Sequence, residues 1–150
     1  MQRNHAVTIL LLAVSLASAR PASACRCVRV DLAKAVPAAA AVFVGKSIGV
    51  VKRPLDAVEC AKPEPNRCYY EHTHKIQVEH VWKGAVPSTI TIETGSGTGD
   101  CTFGDLGPDR WLFVTGPGWS LHTCGGTRLA TQAVLDDMKK RFGAPRAPTR

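Results

Sequence analysis

Six cysteines hold most of the reactive chemistry of this 150-residue chain: Cys25, Cys27, Cys60, Cys68, Cys101 and Cys124. As thiolates, the closely spaced Cys25 and Cys27 would suit a soft metal ion. As disulfides, the six would be consumed in three crosslinks, whose pairing the spacing alone leaves open. The residues before Cys25 decide between these chemistries. Met1 to His5 form a positive start through Arg3, and Ala6 to Ala17 are apolar. That run falls short of the ~20 residues a bilayer span requires. Ala22-Ser23-Ala24 then puts small residues where a signal peptidase reads. Residues 1–24 are therefore expected to be a signal peptide, with Cys25 as the mature N-terminus and a secreted or periplasmic destination. An oxidising compartment favours disulfides over metal-binding thiolates. Lipidation of Cys25 is the rival processing, and it prefers a Leu-like residue where this chain has Ala22. Without a lipid no membrane attachment is expected.

The remaining candidates carry bland readings more easily than sharp ones. His72, His74 and His80 share one parity of a predicted strand, but no acidic or cysteine partner at metal-ligand spacing accompanies them. No metal or cofactor of the protein's own is expected. Ser120 and His122 lie close together without a nucleophile motif or an identified orienting acid, and Cys25 could act as a nucleophile only if unpaired. No catalytic site is expected, and the chain is read as a non-enzyme. Trp82, Trp111, Trp119 and Tyr70 could stack on bases. Export and a formal charge of +7 spread along the sequence argue instead for core aromatics and no nucleic-acid partner. Lys139-Lys140-Arg141 is the one basic cluster, read as a solvated helix end favoured by the helix dipole.

The elements that must position these groups are mostly strands. An Ala-rich stretch from Asp31 to Ala41, broken by Pro37, predicts a short helix or turn. AVFVGKSIGVV over 41–51 predicts a strand, bent at Gly45 and Gly49. Residues 53–67, with Pro54, Pro63, Pro65 and Asn66, read as a loop. A Cys60–Cys68 bridge across its second half would contribute about 2.6 kcal/mol by loop entropy. Residues 69–83 predict the clearest strand: even positions from Tyr70 to Trp82 are largely apolar, odd positions polar. TITIE at 89–93 follows a turn at Lys83-Gly84. A Gly-rich connection carries Cys101, and WLFVT (111–115) with WSLHT (119–123) predicts a hairpin around Gly116-Pro117-Gly118. Leu129, Val134, Met138 and Phe142 recur at helical spacing, Gly143 can end that helix, and 144–150 read as a flexible tail. Five strands with a bent first strand predict a mainly β, disulfide-stapled, five-stranded Greek-key barrel of the OB type, with short helices at its ends.

In order along the chain, Cys-x-Cys after the leader, VFVGK, VEHVWKG, TITIETG, Cys101-x-Phe103, RWLFVTG and LHTCGGTRL together resemble the netrin-type domain. The nearest likeness is to bacterial relatives of the tissue inhibitors of metalloproteinases. It spans the mature chain from Cys25 to about Leu129. The resemblance implies one OB-like domain over 25–143, with bridges Cys25–Cys101 and Cys27–Cys124 beside Cys60–Cys68. A Cys27–Cys124 bridge would close about 98 residues, worth about 4–5 kcal/mol in the entropy model. It also implies an N-terminal cysteine whose α-amino nitrogen and carbonyl oxygen chelate a protease's catalytic zinc at its open position.

The resulting expectation is an exported, monomeric protein-binding module. Its binding edge would be Cys25, Arg26 and Cys27, and its partner a protein of the zinc metalloprotease class. Arg26 departs from the small second residue of the animal inhibitors, since a long cation is poorly housed in an apolar pocket. The alternative reading is a non-inhibitory interaction domain that holds an envelope or matrix protein.

Overall fold

A strand can be buried on both sides only if something covers both faces, and the start of the first strand meets that condition. The computed structural model describes residues 30–62, 68–97 and 102–150. Over these residues the protein is mainly β: a five-stranded antiparallel open sheet, flanked by helices near its two ends. The strands are β1 (Ala41–Pro54), β2 (Tyr70–Lys83), β3 (Thr89–Gly95), β4 (Arg110–Thr115) and β5 (Arg128–Leu129). Their order across the sheet is β3-β2-β1-β4-β5, which puts β1 at the centre. The helices are α1 (Leu32–Ala38), a single turn α2 (Ala57–Cys60) and α3 (Gln132–Phe142). None of the described helices is long and apolar enough to cross a membrane.

Alternation on the central strands divides the core into two layers. Phe43 on β1 and Phe113 on β4 point to one face, with Ile76, Val78, Ile90 and Ile92 from β2 and β3. Connecting segments cover that face through Val86, Leu106 and the half-buried Phe103, Trp119 and Leu121. Val42, Val44, Leu112 and Val114 point to the other face, where Leu32 and Val36 of α1 and Leu135 and Met138 of α3 cover them. Phe43 stacks on Phe113 at 5.0 Å and receives the edge of Trp119 at 6.1 Å, geometries that add about 0.5–1.5 kcal/mol per pair beyond simple burial.

Both helices carry their boundary signals. Asp31 Oδ1 accepts the Ala33 amide at 2.9 Å and starts α1. At its other end Lys83 donates Nζ to the carbonyls of Val36 and Pro37, at 3.3 and 2.5 Å. Thr131 accepts the Val134 amide to start α3, and Gly143, at φ +81°, ends it where the helical spacing predicted. Arg141 pairs with Asp137 one turn back at 2.6 Å, while Lys139 and Lys140 are exposed.

The register of β1 against β2 shifts in three places, between Val42 and Phe43, between Val44 and Gly45 and between Ser47 and Gly49, the last two at the glycines. At Gly45 β2 passes so close that an added Cβ would sit 2.6 Å from the Gln77 carbonyl oxygen. Opposite this bend β2 changes phase. Val44 pairs with His80 and Gly45 with Val78, leaving Glu79 as the extra residue of a bulge. The parity expected to hold through Trp82 therefore stops at Val78. Val81 is buried, His80 is exposed, and Trp82 lies on the helix-covered face with its Nε1 donating to the Gly143 carbonyl at 3.0 Å.

Two other expectations are corrected. WSLHT is not a strand. Pro117–Trp119 form a 3-10 turn in which Gly118 and Trp119 both take φ +64°, Gly116 donates to the Ser120 carbonyl, and the fifth strand is Arg128–Leu129. A positive φ at a bulky residue is uncommon, and neither a two-residue turn nor helical spacing signals it. The 144–150 tail is not loose. Arg146 exchanges both backbone hydrogen bonds with Val81, and Thr149 bonds Val86 and Ser88, so the tail lies along the β2–β3 connection.

Candidate functional site

The expected binding edge precedes Val30, where the described residues start. Cys25, Arg26, Cys27 and Cys101 lie outside the described residues, and with them the Cys25–Cys101 and Cys27–Cys124 pairings. The local bridge Cys60–Cys68 is formed, and it links α2 to the start of β2. Cys124 is disulfide-bonded and exposed, in the turn before β5.

Val30, the first described residue, is held by this same turn. Arg128 of β5 donates Nη2 to the Val30 carbonyl at 2.9 Å and Nε to the Gly126 carbonyl at 2.8 Å. The turn is closed by the Gly125 amide on the His122 carbonyl at 2.7 Å. Beside it the Thr123 hydroxyl oxygen is buried with no hydrogen-bond partner. Between α1 and the end of β4 an open cavity of about 450 Å³ separates these parts. Ala35, Ala39 and Val114 form apolar walls, Lys34 and His122 supply polar groups, and Val30 and Cys124 both line it. Val30 and Cys124 thus share one edge of the molecule, built from α1, β4 and the turn before β5. Arg128 and Lys83 hold α1 and its approach through carbonyls. A lone basic residue in a strand carries no pattern that announces such a role.

The histidines divide. His72 and His74, 8% and 1% exposed, lie on the loop-covered face with ring centroids 6.1 Å apart, while the bulge turns His80 away. His72 Nδ1 donates to the Gly95 carbonyl at 3.1 Å. His74 Nδ1 donates to Ser47 Oγ at 2.8 Å, the Ser47 hydroxyl donates to the Gly49 carbonyl at 3.3 Å, and His74 Nε2 accepts the Leu106 amide at 3.4 Å. Asp105 Oδ1 lies 3.9 Å from Nε2.

Ser47, His74 and Asp105 have the residue types of a hydrolase triad but not its wiring. The lone pair of His74 points at a backbone amide, and Ser47 receives a proton from the ring where a nucleophile would surrender one. Burial pushes the His74 pKa down, opposed by Asp105 and by a hydrogen bond to the Gly104 backbone, with His72 and Lys52 adding to the lowering. Asp105 is held at about 2, chiefly by the Lys52 hydrogen bond at 2.8 Å and the Gly107 amide. Ser47 and Asp105 lie 27 and 31 residues from His74 in sequence, so no local motif exposes this cluster.

Ser120 and His122 face different cavities. Ser120 lies beside Thr91 and Glu93, whereas His122 lies on the cavity by Cys124. Among the described residues no group of three or more His, Cys, Asp or Glu side chains is arranged to hold a metal ion. Comparisons of the chain with protein-family models and with curated proteins found no match.

Proposed function

We propose that the protein is an exported, non-catalytic binding module. Its mature N-terminus at Cys25 acts on zinc metalloendopeptidases, with the Cys25 amine and carbonyl taking the open position of the target's metal. The observation that carries this reading is the edge shared by Val30 and the disulfide-bonded Cys124. Val30 lies five positions after Cys25, a reach of at most about 18 Å. Val30 is itself fastened by Arg128. The Cys27–Cys124 bridge that the resemblance implies would tie the terminus to that turn, and a tethered terminus pays less ordering cost on binding.

The sheet order supports an OB-type barrel as the scaffold. β1 is central, β2 and β3 lie on one side, β4 and β5 on the other, and 118–121 lie beside β3 at Thr91 and Glu93. Trp119 and Leu121 pack from that segment onto the core.

A second reading rests on a different surface. Ile48, Val50, Val51, Leu55, Val58, Tyr69 and Tyr70 are exposed along the far ends of β1 and β2 and their connection. Apolar exposure on that scale suits a protein partner held without any use of Cys25.

The test is titration of a panel of zinc metalloendopeptidases with mature protein and with a form extended by residues before Cys25. Extension turns the amine into an amide, so inhibition by the mature form alone is expected. Equal inhibition by both forms removes zinc chelation. Binding without inhibition by either form selects the second reading.

A further inference from the structure

Leu106 is the pin that fastens the 102–107 segment to the sheet. Its side chain is 2% exposed in the core, its carbonyl accepts the Trp111 indole N–H at 3.0 Å, and its amide donates to His74 Nε2 at 3.4 Å. Two further bonds hold the segment on the same side. The Gly104 amide donates to the Thr94 carbonyl at 2.9 Å, and the Thr94 hydroxyl donates to the Gly104 carbonyl. Of these fastenings, the one to His74 depends on an unprotonated ring nitrogen.

We propose that His74 is a proton-operated latch: the neutral ring holds the 102–107 segment through the Leu106 amide, and protonation releases it. A charged imidazole has two donors and no acceptor. Once Nε2 carries a proton, two N–H groups oppose one another, in a place the solvent does not reach. The nearby acceptors are Asp105 Oδ1 at 3.9 Å and the Gly104 backbone. Turning the segment to present either one draws the Leu106 amide away and lifts its side chain from the core.

The charged surroundings set the sense of the switch. From β1, Lys52 faces the ring and holds Asp105. From β2, His72 stacks beside it. From the connecting segment, Asp105 attracts its proton. Glu71 and Glu93 flank His72 in a small neighbouring cavity. Because burial outweighs attraction, the folded ring stays neutral to a lower pH than the ordinary value of 6.5. The open and unfolded forms therefore take the proton first. The latch is at full strength above about pH 6.5 and weakens as pH falls below it, levelling once the folded ring is itself protonated.

The experiment is amide hydrogen exchange on the disulfide-intact mature protein between pH 7.5 and 4.5, corrected for intrinsic exchange. Leu106 protection is expected to fall about tenfold per pH unit over the working range, while the Phe43 and Phe113 amides keep theirs. His74→Gln should make Leu106 protection independent of pH. Asp105→Asn removes the charge that favours the folded ring's proton, so the fall should start at the same pH and continue to lower pH before it levels. Flat protection at Leu106 in the unaltered protein, or an unchanged fall in His74→Gln, overturns the latch. Should His74→Gln not fold, Asp105→Asn decides, and a fall that levels at the same pH as in the unaltered protein overturns it equally.

Discussion

The two halves of the β1–β2 ladder are built from similar residues and meet opposite fates. AVFV at 41–44 and IGVV at 48–51 are comparably apolar, yet Val42, Phe43 and Val44 are fully buried while Ile48, Val50 and Val51 are 49%, 42% and 69% exposed. The difference lies in what covers them. β4 pairs with β1 only as far as Lys46, opposite Arg110, and α1 and α3 cover β1 at Val42 and Val44. Beyond Lys46, β1 keeps β2 as its paired neighbour, and the covering comes from 102–107 on one face. The body of the sheet is held by apolar packing. The arm is held by a disulfide, the Arg53–Glu71 and Lys52–Asp105 ion pairs, and the His74 cluster. Exposed pairs of this kind contribute little individually, so the arm is the less stable half and opens more readily than the body.

The largest effect should come from emptying the body. Phe43→Ala removes the ring stacked on Phe113 and touched by Trp119, and should cost about 3–5 kcal/mol in denaturant unfolding with disulfides intact. A cost near 1 kcal/mol would mean that the two core layers are not what holds the sheet.

Next in size is the staple. Replacing Cys60 and Cys68 together by Ser should cost at most about 2.6 kcal/mol on the loop-entropy model. The loss should be local: backbone amides of 48–54 and 70–75 should exchange faster, and those of 41–45 and 76–83 should not. Equal loosening of both halves would erase the distinction between body and arm.

The junction can be tested directly. Gly45→Ala places a methyl group against the Gln77 carbonyl, a backbone atom unable to step aside. Overpacking of that kind should cost about 1–3 kcal/mol, measured by thermal or denaturant unfolding. A neutral result would mean that β2 does not need its close approach at the bend.

The same comparison explains what the sequence could reveal. The bends at Gly45 and Gly49, the long β2, the helix ending at Gly143 and the Cys60–Cys68 bridge were all legible, because each rests on local steric or chain-closure rules. Which half of β1 would be covered was not legible, since coverage comes from α1, α3 and β4, far away in sequence. His80 and Trp82 were misassigned for a related reason. The Glu79 bulge answers the shape of β1 opposite, and no alternation within β2 announces it. Trp119 was read as a strand start because Gly116-Pro117-Gly118 before it reads as a hairpin turn, whereas its edge-on packing against Phe43 accompanies a turn with positive φ. The docked tail was missed because Ala144–Arg150 has no periodic pattern, and its hydrogen bonds to Val81, Val86 and Ser88 are backbone bonds that need none. For the candidate site, Cys124 entered only through the bridge that the resemblance implies, and Arg128 holding Val30 and Ser47 supporting His74 are long-range contacts with no local signature.

The smallest expected effect is also the sharpest check on the arm. Val51 is the most exposed of the apolar residues on β1, and it sits opposite Thr73 with no described cover. Val51→Thr keeps the β-branched shape that strands favour and replaces one methyl by a hydroxyl. Stability should change by less than about 0.5 kcal/mol, as for surface substitutions that touch nothing. The same exchange at Val44, fully buried beneath the helices, would bury a hydroxyl and should cost about 1–3 kcal/mol. Measuring both by denaturant unfolding holds the chemistry constant and varies only the cover. Equal costs would mean that the arm is buried in solution by a partner copy, which sedimentation would reveal as a dimer. A wide gap would mean that the arm stands exposed in the isolated protein, its apolar side chains free to meet a partner.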